Sequence, residues 1–529
     1  MSSVSGTSST FPNVEEAVSF KTWVGVFGAT LGAFMAVLNI QITNASLHDI
    51  EGGIGTGGTN GAWVSTAHLV GEIIVIPLTD FLSRVFSLRR YLIANVALFL
   101  FFSVACGFVH NLSEMIVLRG LQGFSGGVLI PLAFTIIVTS LPKSKQPIGM
   151  AGFAISATFA PAIGPTIGGY LTDNLGWQYV FYLNLVPGAV MLGALWWALK
   201  PSAPRLDLLR HGDWTGIAAL AIGLGSLQTV LEEGNQDDWF GSALIVRLSI
   251  IAAVFLALFV WIELSKPEPV VNLRLLARRN FGFGTFSNFF LGFGLYGAGY
   301  LLTQYLAQSQ GYNAGQIGAV MMWTGLPQLV IIPFVPKLMG KIDSRLLVGF
   351  GLSLFAISCF MNLELSRDYA ADQLLIPNIT RAVGFAFILT PLSAVAMVGM
   401  ERENAGAASG LFNMMRNLGG AVGTAALVTF FTKREQYHSS VINANVSLGD
   451  PATRDRIANL QRFFISHGTP DPAAAAHKAI VLIGQAIRAQ ANLMGFGDTF
   501  GLLGAMLTIA AISIVFLKKG PITAGAGAH

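Results

Sequence analysis

Glu72 is an acidic side chain in an otherwise apolar stretch, four residues after His68. On a helix, residues four apart lie on the same face. A carboxyl group in an apolar environment holds its proton more tightly than it does in water. We therefore predict proton coupling at Glu72, with His68 as a relay. The alternatives are a neutral glutamate that only joins helices by a hydrogen bond, and a histidine that only packs.

Three arginines also lie in apolar stretches: Arg119, Arg381 and Arg416. Arginine stays charged in proteins, so each needs an acidic or carbonyl partner. Arg119 opens a run of small residues that lets neighbouring helices approach closely. Arg119 and Arg381 each precede a Pro-Leu pair, which indicates an internal repeat. We predict that Arg119 tunes proton binding at Glu72; the alternative is that these arginines only anchor helices.

A further segment, residues 160–169, alternates Pro and Gly with apolar residues. These residue types favour a helix that can bend and that offers flat faces to its neighbours. The predicted motif residues are Pro161, Gly164, Pro165, Gly168 and Gly169.

The composition places these motifs in a membrane protein. Of the 529 residues 53% are hydrophobic, mean hydropathy is +0.63 and only 11% are charged, against about 25% in soluble domains. The polar N-terminus lacks the features of a cleavable signal. Cys106 and Cys359 both lie in apolar runs, so we expect ordinary core residues and no metal or disulfide framework. The net charge of +4 does not indicate nucleic-acid binding, and no phosphate-binding loop is present.

A helix needs about 20 apolar residues to cross the hydrocarbon core. Fourteen such spans are predicted, at 23–47, 62–83, 91–110, 114–140, 148–173, 177–199, 215–231, 241–264, 281–308, 314–339, 346–365, 373–400, 404–432 and 498–517.

The distribution of basic residues predicts the orientation. With the N-terminus in the cytoplasm, the cytoplasmic segments contain nineteen Lys and Arg, whereas the short outer loops contain only Arg367. Basic residues accumulate in cytoplasmic loops, so both termini are expected in the cytoplasm.

The segment 433–497 is a long polar insertion before the last span. Asp450-Pro451 and Asp471-Pro472 each read as an N-cap followed by proline at the first helical position. We predict two amphipathic helices outside the membrane.

The expected architecture is all-α. The predicted divisions are a cytoplasmic tail at 1–22, an N-terminal bundle at 23–199, a linker with two spans at 200–280, a C-terminal bundle at 281–517 that includes the outer segment 433–497, and a cytoplasmic tail at 518–529.

Nearly the whole chain resembles the fourteen-span drug:proton antiporters of the EmrB/QacA type in the major facilitator superfamily. The motifs that carry the resemblance are Leu38-Asn39-Ile40-Gln41-Ile42-Thr43-Asn44-Ala45, the run from Arg119 to Gly127, Gly164-Pro165 with Gly168-Gly169, Asp213-Trp214-Thr215-Gly216, Asp238-Trp239-Phe240, Glu268-Pro269, Arg279-Asn280-Phe281 and Arg416-Asn417-Leu418-Gly419-Gly420.

The chain departs from this family at two places. The family usually has an acid at the position of Asn39, and that acid serves proton coupling; its absence moves the expected coupling to Glu72. In the loop between spans two and three, Asp80, Arg84 and Ser87 replace the family's Gly, Asp and Gly. That loop is linked to conformational switching, so we expect gating to differ here.

The resemblance implies a major facilitator fold, with two six-helix bundles and two extra helices between them. It also implies a secondary transporter, not an enzyme, in the bacterial inner membrane. It implies export of hydrophobic, cationic or amphipathic compounds against inward proton flow, without a cofactor. It further implies a periplasmic adaptor and an outer-membrane channel as partners. Alternatives are export of a specific metabolite, fatty acid or siderophore, or uptake by symport. Besides Glu72, Arg119 and His68, the residues expected to line the substrate cavity are Asn39, Gln41, Asn44, Gln122 and Arg416.

Overall fold

A computed structural model describes residues 18–56, 61–142, 144–210, 212–266, 269–401, 404–447 and 449–519. Most of the predicted tails at 1–22 and 518–529 lie outside these residues. The described residues fold into α-helices joined by short turns and 3₁₀ segments, with no β-strand among them.

The helices of the first half precede a connecting pair. They are α1 (Phe20–Ala45), α2 (Leu47–Ile54), α3 (Trp63–Phe86), α4 (Leu88–Cys106), α5 (Leu112–Gly126), α6 (Leu129–Ser140), α7 (Gln146–Asn174), α8 (Tyr179–Tyr182) and α9 (Leu185–Ala198). The connecting pair is α10 (Trp214–Glu233) and α11 (Ala243–Ser265).

The second half comprises the remaining helices. They are α12 (Arg279–Gln308), α13 (Ala314–Met321), α14 (Leu326–Ile331), α15 (Val335–Met339), α16 (Ser344–Phe360), α17 (Ala371–Ala386), α18 (Leu389–Ala396), α19 (Ala405–Asn445), α20 (Pro451–Ser466) and α21 (Pro472–Ser513).

Each predicted span coincides with one helix, part of one helix, or a series of short helices. Among the described residues, nine helices are long and apolar enough to cross a membrane. A tenth qualifies if Gln146–Pro161 and Ile163–Asn174, which meet at 46°, form one span. The all-helical membrane fold is therefore confirmed, whereas the count of fourteen spans and the cytoplasmic termini remain predictions.

In two of the interrupted or bent spans, proline residues give the reason. The span at 314–339 is divided into α13, α14 and α15 by 3₁₀ turns at Met322–Thr324 and Ile332–Phe334. Pro327, Pro333 and Pro336 lie in this segment, and proline lacks the amide that the helix interior requires. In α7, Pro161 lies at the bend between the two helical parts.

The helices pack as two groups, and a few pairs of helices form the contacts between the groups. In the first half α1 packs against α7 and α3 against α5, and in the second α12 packs against α19 and α16 against α21. The connecting helices α10 and α11 pack on each other, and α10 also contacts α3. The halves meet where α3 contacts α19 and where α7 contacts α13.

The outer segment is built on two unusually long helices. With 41 and 42 residues, α19 and α21 are each about 60 Å long, roughly twice the hydrocarbon thickness. The predicted second amphipathic helix is not separate, because α21 runs unbroken from Pro472 through the last predicted span. The helix α20 packs against α21. We call α20 and the part of α21 at 472–492 the stalk.

Both stalk helices begin as the sequence predicts. The Asp450 carboxylate accepts hydrogen bonds from the Thr453 amide at 3.0 Å and the Thr453 hydroxyl at 2.9 Å. These bonds hold the pKa of Asp450 below its usual value. The Asp471 carboxylate likewise accepts from the amides of Ala473 and Ala474. At the base of the stalk, Arg434 and His438 of α19 bind the Asp498 carboxylate of α21 at 2.6 and 2.7 Å.

Reporter fusions test the orientation directly. Fusions after Lys200 and Lys518 are expected to report the cytoplasm, and fusions within 440–490 the outside, because basic residues favour the cytoplasmic side in short loops. Alkaline phosphatase and green fluorescent protein activities measure the two locations. A cytoplasmic signal from within 440–490 would overturn the orientation and the outward position of the stalk.

Candidate transport site

Glu72 is a buried acidic side chain at the contact between the two halves. It lies near the middle of α3 and is 5% exposed. Its Oε1 accepts a hydrogen bond of 3.0 Å from Nδ2 of Asn417, which lies on α19 in the other half. The charges of Arg416 and Arg119 also act on this carboxyl group. Glu72 thus connects the halves through one hydrogen bond and one long-range attraction.

A close helix contact fixes the position of Glu72. A Cβ atom at Gly127, directly after α5, would lie 2.9 Å from the Glu72 Cα. Likewise, a Cβ at Gly123 would meet the backbone carbonyl oxygen of His68. The small residues after Arg119 therefore allow α5 to approach α3, as their residue types predict.

His68 is buried next to Arg119. It is 3% exposed, and its Nδ1 has no hydrogen-bond partner among the described residues. No side-chain hydrogen bond joins it to Glu72 within that part of the chain. The relay role of His68 therefore stays a prediction.

Arg119 is bound by neutral acceptors. It is 1% exposed, and its Nη1 donates to Oδ1 of Asn39 at 3.0 Å and to Oε1 of Gln122 at 2.6 Å. Its Nε donates to the Val64 carbonyl oxygen at 3.1 Å, and its guanidinium lies 5.7 Å from the centre of the Phe181 ring. Asn39, Gln122 and Arg119, three predicted site residues, thus meet in one cluster. Sequence reasoning missed Val64 and Phe181.

Arg416 is a buried cation with few partners. It is 3% exposed and forms no hydrogen bond or ion pair with a described residue; its Nε is among the buried atoms that lack a partner. The ring of Phe153 on α7 lies 6.0 Å from its guanidinium. The nearby negative charge is that of Glu72. Arg416 therefore faces the first half, and its role in a substrate cavity stays a prediction.

The other two predicted cavity residues of α1 lie apart from this cluster. Gln41 is half-buried where α1 meets α7, and a Cβ at Gly164 would contact its side chain. Asn44 is exposed at the end of α1, where its Oδ1 accepts from Ser65 at 2.6 Å. The structure brings neither to Arg119 or Glu72.

The Pro-Gly motif of α7 forms a helix contact. A Cβ at Gly168 would lie 3.0 Å from the Ile42 carbonyl oxygen of α1. On the same helix, Thr166 lies so close to Gly318 of α13 that a Cβ there would collide with it. The motif thus lets α7 pack closely on α1 and on the second half at once. Its five predicted residues, Pro161, Gly164, Pro165, Gly168 and Gly169, all lie within α7.

The halves also touch on the predicted cytoplasmic side of Glu72. The Ser409 hydroxyl of α19 donates to the Pro131 carbonyl oxygen at 3.1 Å, and the rings of Phe134 and Phe412 lie 6.2 Å apart. Asp80 lies against Gly406, in the first turn of α19. A carboxylate near a helix N-terminus is stabilised by the helix dipole. Asp80 belongs to the altered motif and lies in α3, so this motif places an acid against the second half.

Two buried carboxylates at helix ends were not predicted. Glu233, at the end of α10, is 2% exposed and accepts from the Thr66 hydroxyl of α3 at 2.7 Å. Glu263, near the end of α11, is fully buried and accepts from the Val271 amide at 3.1 Å. Both follow long apolar runs, so a search for acids at span ends would have found them. Glu233 thus joins α10 to α3, and Glu263 joins α11 to the segment that follows it.

Two halves of apolar helices that meet at a buried acid, with two buried arginines acting on it, are features of a multi-pass membrane transporter. The chain belongs to the major facilitator superfamily: the profile of the Major Facilitator Superfamily matches residues 29–424. It is 31% identical to the colistin resistance protein EmrB of Acinetobacter baumannii over 94% of this chain and 97% of that protein. The resemblance to EmrB-type proteins is therefore confirmed.

Two further relatives and one solved structure are also similar to this chain. The chain is 31% identical to the fatty acid resistance protein FarB of Neisseria gonorrhoeae, over 94% of this chain and 96% of that one. It is also 31% identical to the multidrug export protein EmrB of Escherichia coli K12, over 94% and 95%. The solved proton:xylose symporter XylE has the same fold, with a TM-score of 0.59, 14% identity and coverage of 94% and 95%.

Proposed function

We propose that this protein is a proton-driven antiporter that exports hydrophobic and amphipathic compounds across the bacterial inner membrane. The observation that carries the proposal is the bond between Glu72 in the first half and Asn417 in the second. Through this bond, the ionisation state of the Glu72 carboxyl group affects the contact between the two halves.

The physical argument follows from the charge of Glu72. Ionised Glu72 is attracted by Arg416 and accepts a charge-assisted bond from Asn417. A proton on Glu72 removes the attraction and weakens the contact between the halves. Proton binding therefore favours separation of α3 from α19 at this level, and proton release favours their contact. A transporter needs such a dependence to couple proton movement to alternating access.

Arg119 contributes from the other side of Glu72. Because Asn39 is neutral, Arg119 has no carboxylate among its hydrogen-bond partners in the described part of the chain. Its charge is therefore left to act on Glu72, and it favours the ionised form. We propose that Arg119 tunes proton release in this way.

Flux measurements test the proposal. In inside-out vesicles, an imposed proton gradient is expected to drive accumulation of a fluorescent drug only when the chain is present. A drug-susceptibility panel in a pump-deficient host should show raised resistance on expression. Drug uptake into intact cells driven by inward proton flow would instead support a symporter and contradict export.

We also propose that the stalk binds a periplasmic adaptor, which would make the protein the inner-membrane part of a tripartite efflux system. The stretch of α21 from Pro472 to Asp498 extends about 39 Å. Its exposed apolar residues, and those of α20, are more than a connection between two spans requires. These residues include Phe463, Ile465, Ile480, Val481 and Leu482. EmrB-type resemblance supports an adaptor as the occupant of this surface.

Replacement of residues 450–490 by a short Gly/Ser linker is expected to separate transport from resistance. Drug transport in inner-membrane vesicles should stay near the wild-type rate, because Arg434, His438 and Asp498 remain to hold α19 against α21. Resistance of intact cells and co-purification of the adaptor should be lost.

The matched control is a variant with Arg454→Gln, a change of one exposed stalk residue, which should keep resistance. Full resistance of cells that express the shortened protein would show that the stalk is not a docking site.

A further inference from the structure

Two buried carboxylates meet at the predicted cytoplasmic end of the connecting pair. Asp213 is the N-cap of α10 and is 5% exposed, and Glu263 lies near the end of α11 and is fully buried. The two helices pack against each other, which brings the start of one to the end of the other. Neither carboxylate belongs to the contact between the halves around Glu72.

Asp213 is bound in the manner of an ionised carboxylate. Its Oδ1 accepts hydrogen bonds from the Gly216 amide and the Thr215 hydroxyl, both at 2.8 Å. The Lys266 ammonium donates to the same oxygen at 2.6 Å. Three donors, one of them charged, stabilise the negative charge of Asp213.

One oxygen of each carboxylate has no donor. Oδ2 of Asp213 and Oε1 of Glu263 are both buried and lack a hydrogen-bond partner among the described residues. Both face the same point, because a Cβ atom at Gly216 would lie 2.6 Å from the first and 3.0 Å from the second. An ionised carboxylate can only accept hydrogen bonds, so two of them would leave both oxygens unsatisfied. A proton between them would satisfy both, since one carboxyl group then donates to the other.

The balance of charge in this cluster also indicates a bound proton. The charges that act on Glu263 are those of Asp213 and Lys266, and Lys266 balances only one negative charge. Arg274, the charged side chain of the following 3₁₀ segment, donates instead to the carbonyl oxygens of Leu264 and Lys266. Two carboxylates that share a site do not readily ionise together, so the cluster is neutral when one of them keeps its proton.

We propose that Asp213 and Glu263 form a proton-binding site, separate from Glu72, in which Glu263 carries the proton and donates it from Oε1 to Oδ2 of Asp213. The proton exchanges with the cytoplasm at Lys266, whose side chain is 42% exposed beside the buried Asp213 carboxylate. Its release places two like charges against each other and loosens this end of the connecting pair. Because the Val271 amide that binds Glu263 lies on the chain leading into α12, the second half is attached at the same place. The inference goes beyond the proposed export function and does not depend on it, because proton binding is measured without a substrate.

Infrared spectroscopy of the purified full-length protein tests the site, because protonated and ionised carboxyl groups absorb at different frequencies. The wild type is expected to show a protonated-carboxyl band at neutral pH that it loses at alkaline pH and that Glu263→Gln lacks. Asp213→Asn should also lose this band although Glu263 is present, since the asparagine amide can donate to Glu263 and the like charge is gone. Asparagine is as good an N-cap as aspartate, so this variant serves if the glutamine variant does not fold.

The pH dependence of thermal unfolding provides a second measurement. An unfolded glutamate is ionised at neutral pH, whereas the folded wild type keeps the proton on Glu263. The stability of the wild type should therefore fall as the pH rises, until the folded protein has also released the proton. In Glu263→Gln the glutamine amide can donate to Asp213 at every pH, so the fall should be smaller. Glu364→Gln, at an exposed acid, is the matched control and should keep both the band and the wild-type pH dependence.

Three outcomes would contradict the proposal. A protonated-carboxyl band that Glu263→Gln leaves unchanged would overturn it. A band that Asp213→Asn leaves unchanged would show that Glu263 holds its proton alone, and the shared site would fall. Loss of the wild-type band when sodium chloride replaces choline chloride at constant pH would assign the site to a metal cation instead of a proton.

Discussion

Glu72→Gln is expected to reduce proton-driven export to the level of vesicles without the protein, while the protein still folds and binds its substrate. Glutamine has nearly the same shape and its carbonyl oxygen can still accept the hydrogen bond from Asn417. It cannot take up or release a proton, however, so the contact between the halves no longer depends on pH. Drug accumulation in inside-out vesicles under an imposed proton gradient measures the loss. Substrate binding to the purified variant measures what is retained.

Glu114→Gln is the matched control, because Glu114 is an exposed acid at the start of α5; its export should equal wild type. Asn39→Asp is the informative companion, since it places an acid beside Arg119 where the family usually has one. In the Glu72→Gln background it is expected to restore part of the coupled export. Near-normal resistance from Glu72→Gln alone, at equal expression, would show that the proton is carried elsewhere.

Arg119→Ala is expected to destabilise the protein, by about 1–3 kcal/mol for each buried acceptor that loses its donor. The change leaves the acceptor oxygens of Asn39, Gln122 and Val64 without a donor in the interior. Thermal unfolding of the purified protein and its yield in the membrane measure the effect. Arg119→Lys should recover only part of the stability, because a lysine lacks the planar fork that reaches several acceptors at once.

Transport at the wild-type level by Arg119→Ala would mean that the arginine extends to the membrane surface and contributes nothing inside. Its 1% exposure argues against that outcome. Arg89→Ala provides a control at a basic residue on the predicted cytoplasmic side, and its unfolding temperature should fall far less.

Local sequence signals predicted the features that depend on nearby residues. Hydropathy located the helices, the aspartates at 450 and 471 located two helix starts, and the small residues after Arg119 located a close helix contact. The cluster of Arg119 with Gln122 joins residues three apart on one helix, and Asn39 was found through its place in a recognisable motif. In each case the determining interaction is local or recurs throughout a family.

The missing features depend on contacts between distant segments. Asn417 was noticed only as a neighbour of Arg416, and nothing in its own segment shows that it meets Glu72, 345 residues away. The contact of Asp80 with Gly406 has the same character. The continuity of α21 was missed because its outer part is amphipathic and its inner part apolar, so one helix gave two patterns. Hydrophobic periodicity reports the environment of a helix and not its length.

The uninterrupted course of α19 has a mechanical consequence. This single helix contains no proline and carries Arg416 and Asn417 at the interface as well as Arg434 and His438 at the base of the stalk. We therefore expect α19 to tilt as one rigid helix. A tilt that moves its membrane-embedded part in one direction then moves its outer part in the opposite direction. Because Arg434 and His438 of α19 bind Asp498 of α21, we expect α21 to move together with α19. The proposed adaptor, when bound to the stalk, would therefore be displaced by each tilt of α19, and its resistance would oppose the relative movement of the halves.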